Sequence, residues 1–137
     1  ASAAAAIPTH NTAMSTILIV EDNEKNMKLA RDVLQSRGYA TLEAVTGEEG
    51  VRLAIDRKPD LVLMDIQLPG INGMEAFRQV RADPGCAKIP VVAFTASVTP
   101  TDRNQISAAG FDAFISKPIN LKEFLETVKR LLEGGGA

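Results

Sequence analysis

LVLMDIQLPG, residues 61–70, runs four apolar residues straight into Asp65 and then reaches Pro69 and Gly70. An unbroken apolar run of this length, closed by turn residues, reads as a strand covered on both faces of a parallel sheet. An ionised carboxylate at the end of such a strand is costly unless something pairs with it. What the rest of the chain brings to Asp65 therefore decides the reading.

Working outward, residues 17–20, 41–45, 91–94 and 113–115 form four further short strand patterns around 61–64. Helix starts lie between them. Thr46 precedes Glu49, Asn72 precedes Glu75, Thr99 precedes Asp102 and Asn120 precedes Glu123, all at capping-box spacing. Pro100 suits a first helical position, and Gly38 and Gly110 suit left-handed C-caps. Leu121, Phe124, Leu125, Val128, Leu131 and Leu132 make one apolar stripe, expected to face the core. Five β-then-α units imply a doubly wound α/β domain, a five-stranded parallel sheet with five helices. Right-handed crossovers leave few topologies, of which 2-1-3-4-5 is a common order. That order reverses the chain between strands one and three, and ligands of open α/β sheets bind beyond the strand ends at such a point.

Composition bounds the function. A chain of 137 residues suits one domain, and a formal charge of −2 leaves no footprint for nucleic acid or an anionic membrane. No apolar run approaches the roughly 20 residues of a membrane span. Cys86 is the sole cysteine; it cannot form an internal disulfide and reads as a loop residue without function. Residues 1–14 are expected to be a flexible tail or cloning remnant ahead of a natural start at Met14, with His10 solvated. The folded unit is placed at 15–133, residues 134–137 are expected to be flexible, and the setting is expected to be cytoplasmic.

Under this topology five groups meet on one sheet edge. Glu21 and Asp22 follow strand one, Asp65 ends strand three, Thr95 ends strand four, and Ser116-Lys117-Pro118 follow strand five. Singly, each has an ordinary explanation: acids after strands commonly cap helices, and a lysine is usually solvated. Jointly they point to chemistry. Three crowded carboxylates repel, and a hard divalent cation such as Mg²⁺ relieves that while bridging to phosphate oxygens. Lys117 adds a positive charge for an incoming anion, Thr95 a neutral donor, and Asp65 is placed to attack phosphorus.

These residues, read together in ILIVEDN, LVLMDIQLPGINGME, VVAFTA and FISKPI, resemble the receiver domain of response regulators in bacterial two-component phosphorelays. The wording is closest to single-domain receivers of the DivK type, and it also resembles receivers of hybrid histidine kinases. The resemblance implies a flavodoxin-like (CheY-like) fold in which Asp65 accepts a phosphoryl group from a histidine kinase or histidine phosphotransfer protein. It implies Mg²⁺, with Mn²⁺ as a substitute, held by Glu21, Asp22, Asp65 and the backbone carbonyl of Gln67, Glu21 acting through water. It further implies that Lys117 contacts the phosphoryl oxygens, that the bond to Pro118 is cis, and that Thr95 and Phe114 are switch residues. Gln67 and Ser97 occupy the positions that tune dephosphorylation. Such a domain is not an enzyme acting on a separate substrate; its output is a protein partner docked on the helix 4, strand 5 and helix 5 face.

Three rivals remain in view. A haloacid dehalogenase-like phosphohydrolase wants a second acid two residues after the nucleophile, where this chain has Gln67. A nucleotide-binding flavodoxin-like protein wants a glycine-rich loop after strand one, and EDNEKN offers none. A non-phosphorylated receiver-like binding module would have lost the site residues, and all are present.

Overall fold

The computed structural model describes residues 15–96 and 99–135; the expectations for residues 1–14, including His10 and Met14, and for Ser97, lie outside the described residues. Five strands, β1 (Thr16–Val20), β2 (Ala40–Ala44), β3 (Leu61–Asp65), β4 (Val91–Thr95) and β5 (Ala113–Ser116), alternate with α1 (Glu24–Ser36), α2 (Gly47–Arg57), α3 (Gly73–Ala82), α4 (Pro100–Ala109) and α5 (Leu121–Arg130). All strand pairs are parallel, in the order β2-β1-β3-β4-β5.

The apolar runs explain who sits in the middle. β3 and β4 are buried at every residue and β1 at all but its first, whereas edge strands β2 and β5 keep exposed or half-buried positions. Alternate residues serve opposite faces. Leu18, Val20, Val62, Met64, Val91 and Ala93 pack with α2, α3 and α4 through Ala54, Phe77, Val80 and Ile106. Ile17, Ile19, Leu61, Leu63, Val92 and Phe94 pack with α1 and α5 through Ala30, Leu34, Phe124 and Val128.

Helix starts follow the sequence. Thr46, Asn72, Thr99 and Asn120 each accept a backbone N–H three residues on, and Asn23 does the same for α1, a cap the sequence reading missed. Gly110 ends α4 in the left-handed conformation, and Gly38 adopts positive φ just after α1.

Two expectations need correcting. The α5 stripe does not face the core throughout. Phe124 and Val128 are buried, but Leu121, in the first turn beyond the sheet edge, is 48% exposed. Cys86, expected in a loop, is held in a structured and buried connection. It lies in a 3₁₀ turn, Pro84–Cys86, fully buried with its Sγ donating to the Ala54 carbonyl at 3.4 Å.

The strands that carry Thr95 and Lys117 are tied together at their opposite, N-terminal ends. The Asp112 carboxylate accepts from the Val91 N–H and from Arg81, both at 2.8 Å, and Arg81 also donates to the Ile89 carbonyl at 2.6 Å. Arg81 lies over the Phe77 ring, which stacks on Phe111 at 4.1 Å. Asp112→Ala leaves the Val91 N–H and the guanidinium without that acceptor and should destabilise the fold by about 1–3 kcal/mol. A lower urea midpoint at unchanged m-value is the expected readout.

Candidate functional site

Because the strands are parallel, all five C-terminal ends open on one edge, and the chain reverses there between β1 and β3. This arrangement, rather than nearness in sequence, brings the acidic residues together. One carboxylate oxygen from each of Glu21, Asp22 and Asp65 lies within 4.8 Å of the others. Glu21, Asp65 and Thr95 are buried, with exposures of 1%, 2% and 1%, while Asp22 is open to solvent.

Lys117 reaches into this cluster from β5. Its Nζ lies 2.8 Å from Glu21 Oε1 and donates to Asp65 Oδ2 at 2.9 Å, with the side chain only 14% exposed. Its backbone N–H donates to the Thr95 carbonyl at 2.9 Å, fixing where the side chain departs, and the Lys117–Pro118 peptide is cis. The second Asp65 oxygen, Oδ1, accepts the Gln67 N–H at 2.9 Å, and Glu21 Oε2 accepts the Asn23 N–H at 2.9 Å. Glu21 Oε1 is fully buried, and beyond its ion pair with that ammonium it accepts no hydrogen bond among the described residues.

Charge does not balance here: three carboxylates face one ammonium. Burial pushes the Glu21 carboxyl above the ordinary range, against the lowering effect of Lys117 and the Asn23 N–H. For Lys117, burial works to lower the pKa, but Glu21 and Asp65 outweigh it and the net direction is upward. A buried carboxylate oxygen without a hydrogen bond, in an all-oxygen cluster of excess negative charge, fits a hard divalent cation such as Mg²⁺.

The loop after β3 is held by close approach. A Cβ on Gly73 would lie 2.1 Å from the Asp65 carbonyl oxygen, so only glycine lets α3 start against the end of β3. Gly70 has φ +75°, and the Glu48 carboxylate of α2 accepts the adjacent Ile71 N–H at 3.2 Å. Both glycines stand in the LVLMDIQLPGINGME run quoted above, where the sequence alone does not carry this reason for them. The sequence reading missed Phe94 altogether, whose ring lies 4.9 Å from Lys117 Nζ; only the β3–β4 register, which pairs Phe94 with Asp65, reveals it. Phe114 is not part of the cluster. It is half-buried on β5 with the Arg103 guanidinium 5.4 Å from its ring centre.

Comparison with known proteins gives a consistent picture. The model of the response regulator receiver domain matches residues 17–129. The polar-differentiation response regulators DivK of Brucella anthropi and Brucella ovis are each 44% identical over 117 residues, covering 85% of this chain and 95% of theirs. Among solved structures, the receiver domain of the sensor histidine kinase PA1611 from Pseudomonas aeruginosa, with a magnesium ion in its active-site cleft, is similar with a TM-score of 0.82. It is 32% identical, over 87% of this chain and 98% of that one. The chemotaxis response regulator CheY4 of Vibrio cholerae is similar with a TM-score of 0.81 at 25% identity, over 86% and 98%.

The raised Glu21 pKa has a definite sign in stability. From about pH 4.3 upward, the folded protein retains a proton on Glu21 that the unfolded chain has released. Stability from this group therefore falls as pH rises, until pH passes the raised folded value. Glu21→Gln should remove this fall, so that metal-free stability declines less from acid to neutral pH than in the native protein. Mg²⁺ should raise the native melting temperature, by about 2.7 kcal/mol equivalent at a hundredfold excess over Kd, and the variant's by less. Chemical denaturation across pH, with and without Mg²⁺, measures both.

Proposed function

We propose that this chain, which belongs to the response regulator receiver domain family, accepts a phosphoryl group on Asp65 from a phosphohistidine and thereby switches a protein-binding surface. The observation that carries the reading is the half-buried Lys117 ammonium set between buried Glu21 and Asp65 at the chain-reversal edge. An Asp65 carboxylate oxygen attacks phosphorus. The new bond is O–P, the bond that breaks is P–N, and its electron pair returns to the donor imidazole. Asp65 Oδ1 is oriented by the Gln67 N–H and Oδ2 by Lys117, so the nucleophile needs little reorganisation. Lys117 then pairs with the phosphoryl oxygens, and the Thr95 hydroxyl supplies a neutral donor. Glu21, Asp22, Asp65 and the Gln67 carbonyl would hold Mg²⁺, which when bound neutralises charge on the transferred group; Mn²⁺ is a substitute with the same oxygen preference.

The partners on this reading are a histidine kinase or histidine phosphotransfer protein upstream and a protein target downstream, in the cytoplasm. The α4–β5 face supports the output role. Helix α4 buries one residue, Ile106, and a cavity of about 340 Å³ lies between it and β5, lined by Ser107, Phe111 and Phe114 among others. Burying one such side chain is worth about 2 kcal/mol, a modest hold for a ten-residue helix. Phosphorylation then shifts an existing equilibrium of this face. Likeness to the PA1611 receiver keeps a second arrangement open, in which the same chemistry serves a hybrid histidine kinase rather than a DivK-type protein.

Incubation with acetyl phosphate and Mg²⁺ should add one phosphoryl group by intact mass, absent in Asp65→Asn and without metal. If a phosphohistidine phosphotransfer protein also fails to load Asp65, the site is silent and the domain is a binding module. A saturating phosphoryl mimic such as beryllofluoride should move the amide resonances of residues 101–114. Unchanged resonances there would remove the switching step.

A further inference from the structure

Lys117 is a four-carbon side chain that must deliver its ammonium to one point in a crowded site, and the carboxylates alone do not explain how. Glu21 and Asp65 attract it, but both belong to the acidic cluster and are shared with any cation that enters. On its other side the ammonium meets a ring. The Phe94 ring centre is 4.9 Å from Nζ, within cation–π range. Phe94 is itself 1% exposed, held in register beside Asp65 on β3 and Ile115 on β5. It packs among Leu63, Val92, Ile115 and Phe124 on the α1–α5 face, so the ring has a fixed floor beneath it. A ring face attracts a desolvated ammonium, does not compete as a ligand for a hard divalent cation, and excludes water from beneath the site.

We infer that Phe94 is a positioning residue for Lys117: its ring holds the ammonium between Glu21 and Asp65, and so aims it at the group Asp65 receives. The aiming step rests on the phosphoacceptor reading, whereas the holding step does not. Neither needs Phe94 to touch the phosphoryl group. Because its ring is held from below by the core, the hold on Lys117 persists when the carboxylates turn to a cation.

The test replaces Phe94 by 4-fluoro-, 3,5-difluoro- and pentafluorophenylalanine, which progressively weaken the ring's negative face at nearly constant shape, and separately by leucine. The first readout needs no phosphorylation: the order parameter and ring-current shift of the Lys117 ε-methylene in the metal-free protein. The second is the initial rate of Asp65 loading from acetyl phosphate, with Mg²⁺ affinity and melting temperature measured alongside. Lys117 order and loading rate should fall stepwise through the fluorinated series, reaching about tenfold in rate at pentafluorophenylalanine, with Mg²⁺ affinity within about twofold. Phe94→Leu should lose the ring-current shift and load at least as slowly. Lys117 order that is constant across the fluorinated series would overturn the inference, as would a loss of Mg²⁺ affinity in parallel with rate. A native protein that keeps Lys117 ordered through the ring yet never loads Asp65 would overturn the phosphoacceptor reading and the aiming step. In that case the holding role of Phe94 would stand.

Discussion

Two buried carboxylates share one half-buried ammonium, and much of the domain can be read as the means of keeping them there. Separating Lys117 from Glu21 and Asp65 would leave uncompensated charge away from water, which costs several kcal/mol. The sheet supplies the compensation without bringing the residues together in sequence: β1, β3 and β5 each end at the same edge and contribute one partner. The balance is nevertheless incomplete, because Asp22 adds a third negative charge and Glu21 Oε1 lacks a hydrogen bond. A fold selected for stability alone would have little reason to leave that excess in place. On the proposed phosphoacceptor reading the excess would have a use, because stability forgone in the empty state is recovered on binding.

How much of this was legible depended on whether the signal was local. The central strands were readable because residues buried on both faces are apolar without alternation, and four helix starts because side-chain caps lie three residues from the N–H they accept. Asp65 stood out because an apolar run delivered it. Phe94 did not, since its meaning comes from register: it is an ordinary core aromatic until β4 is laid beside β3 and Lys117 is brought over it from β5. Gly73 was visible as part of a pattern, but the 2.1 Å approach to the Asp65 carbonyl that requires it is a tertiary fact. Cys86 looked like loop because its neighbours are turn residues, and only the packing of the 3₁₀ turn against Ala54 buries it. Leu121 continued a helical stripe whose period says nothing about where the sheet beneath it stops.

The two faces of the sheet are built unequally, and on the proposed function that asymmetry would connect the site to an output. On the α1–α5 side, α1 buries Met27, Ala30 and Leu34, and α5 buries Phe124 and Val128. This side carries Phe94, whose ring centre lies 4.9 Å from the Lys117 ammonium. On the other side α4 commits only Ile106, beside a cavity that reaches Phe114. Thr95 sits between these regimes at the end of β4, with its carbonyl bonded to the Lys117 N–H and Phe114 two residues before its register partner Ser116. A change at the site therefore meets stiff packing in one direction and a weakly held helix in the other. Coupling of this kind needs a discrete element whose alternative arrangement is inexpensive. On the proposed function α4 with Phe114 would be such an element, because the Arg103 guanidinium near the half-buried ring contributes only about 0.5–1 kcal/mol to holding it. Rigidity under Lys117 and slack around Phe114 would then be complementary on the proposed function: the first would keep the chemistry aimed, and the second would let a small displacement at Thr95 be expressed as a change of surface.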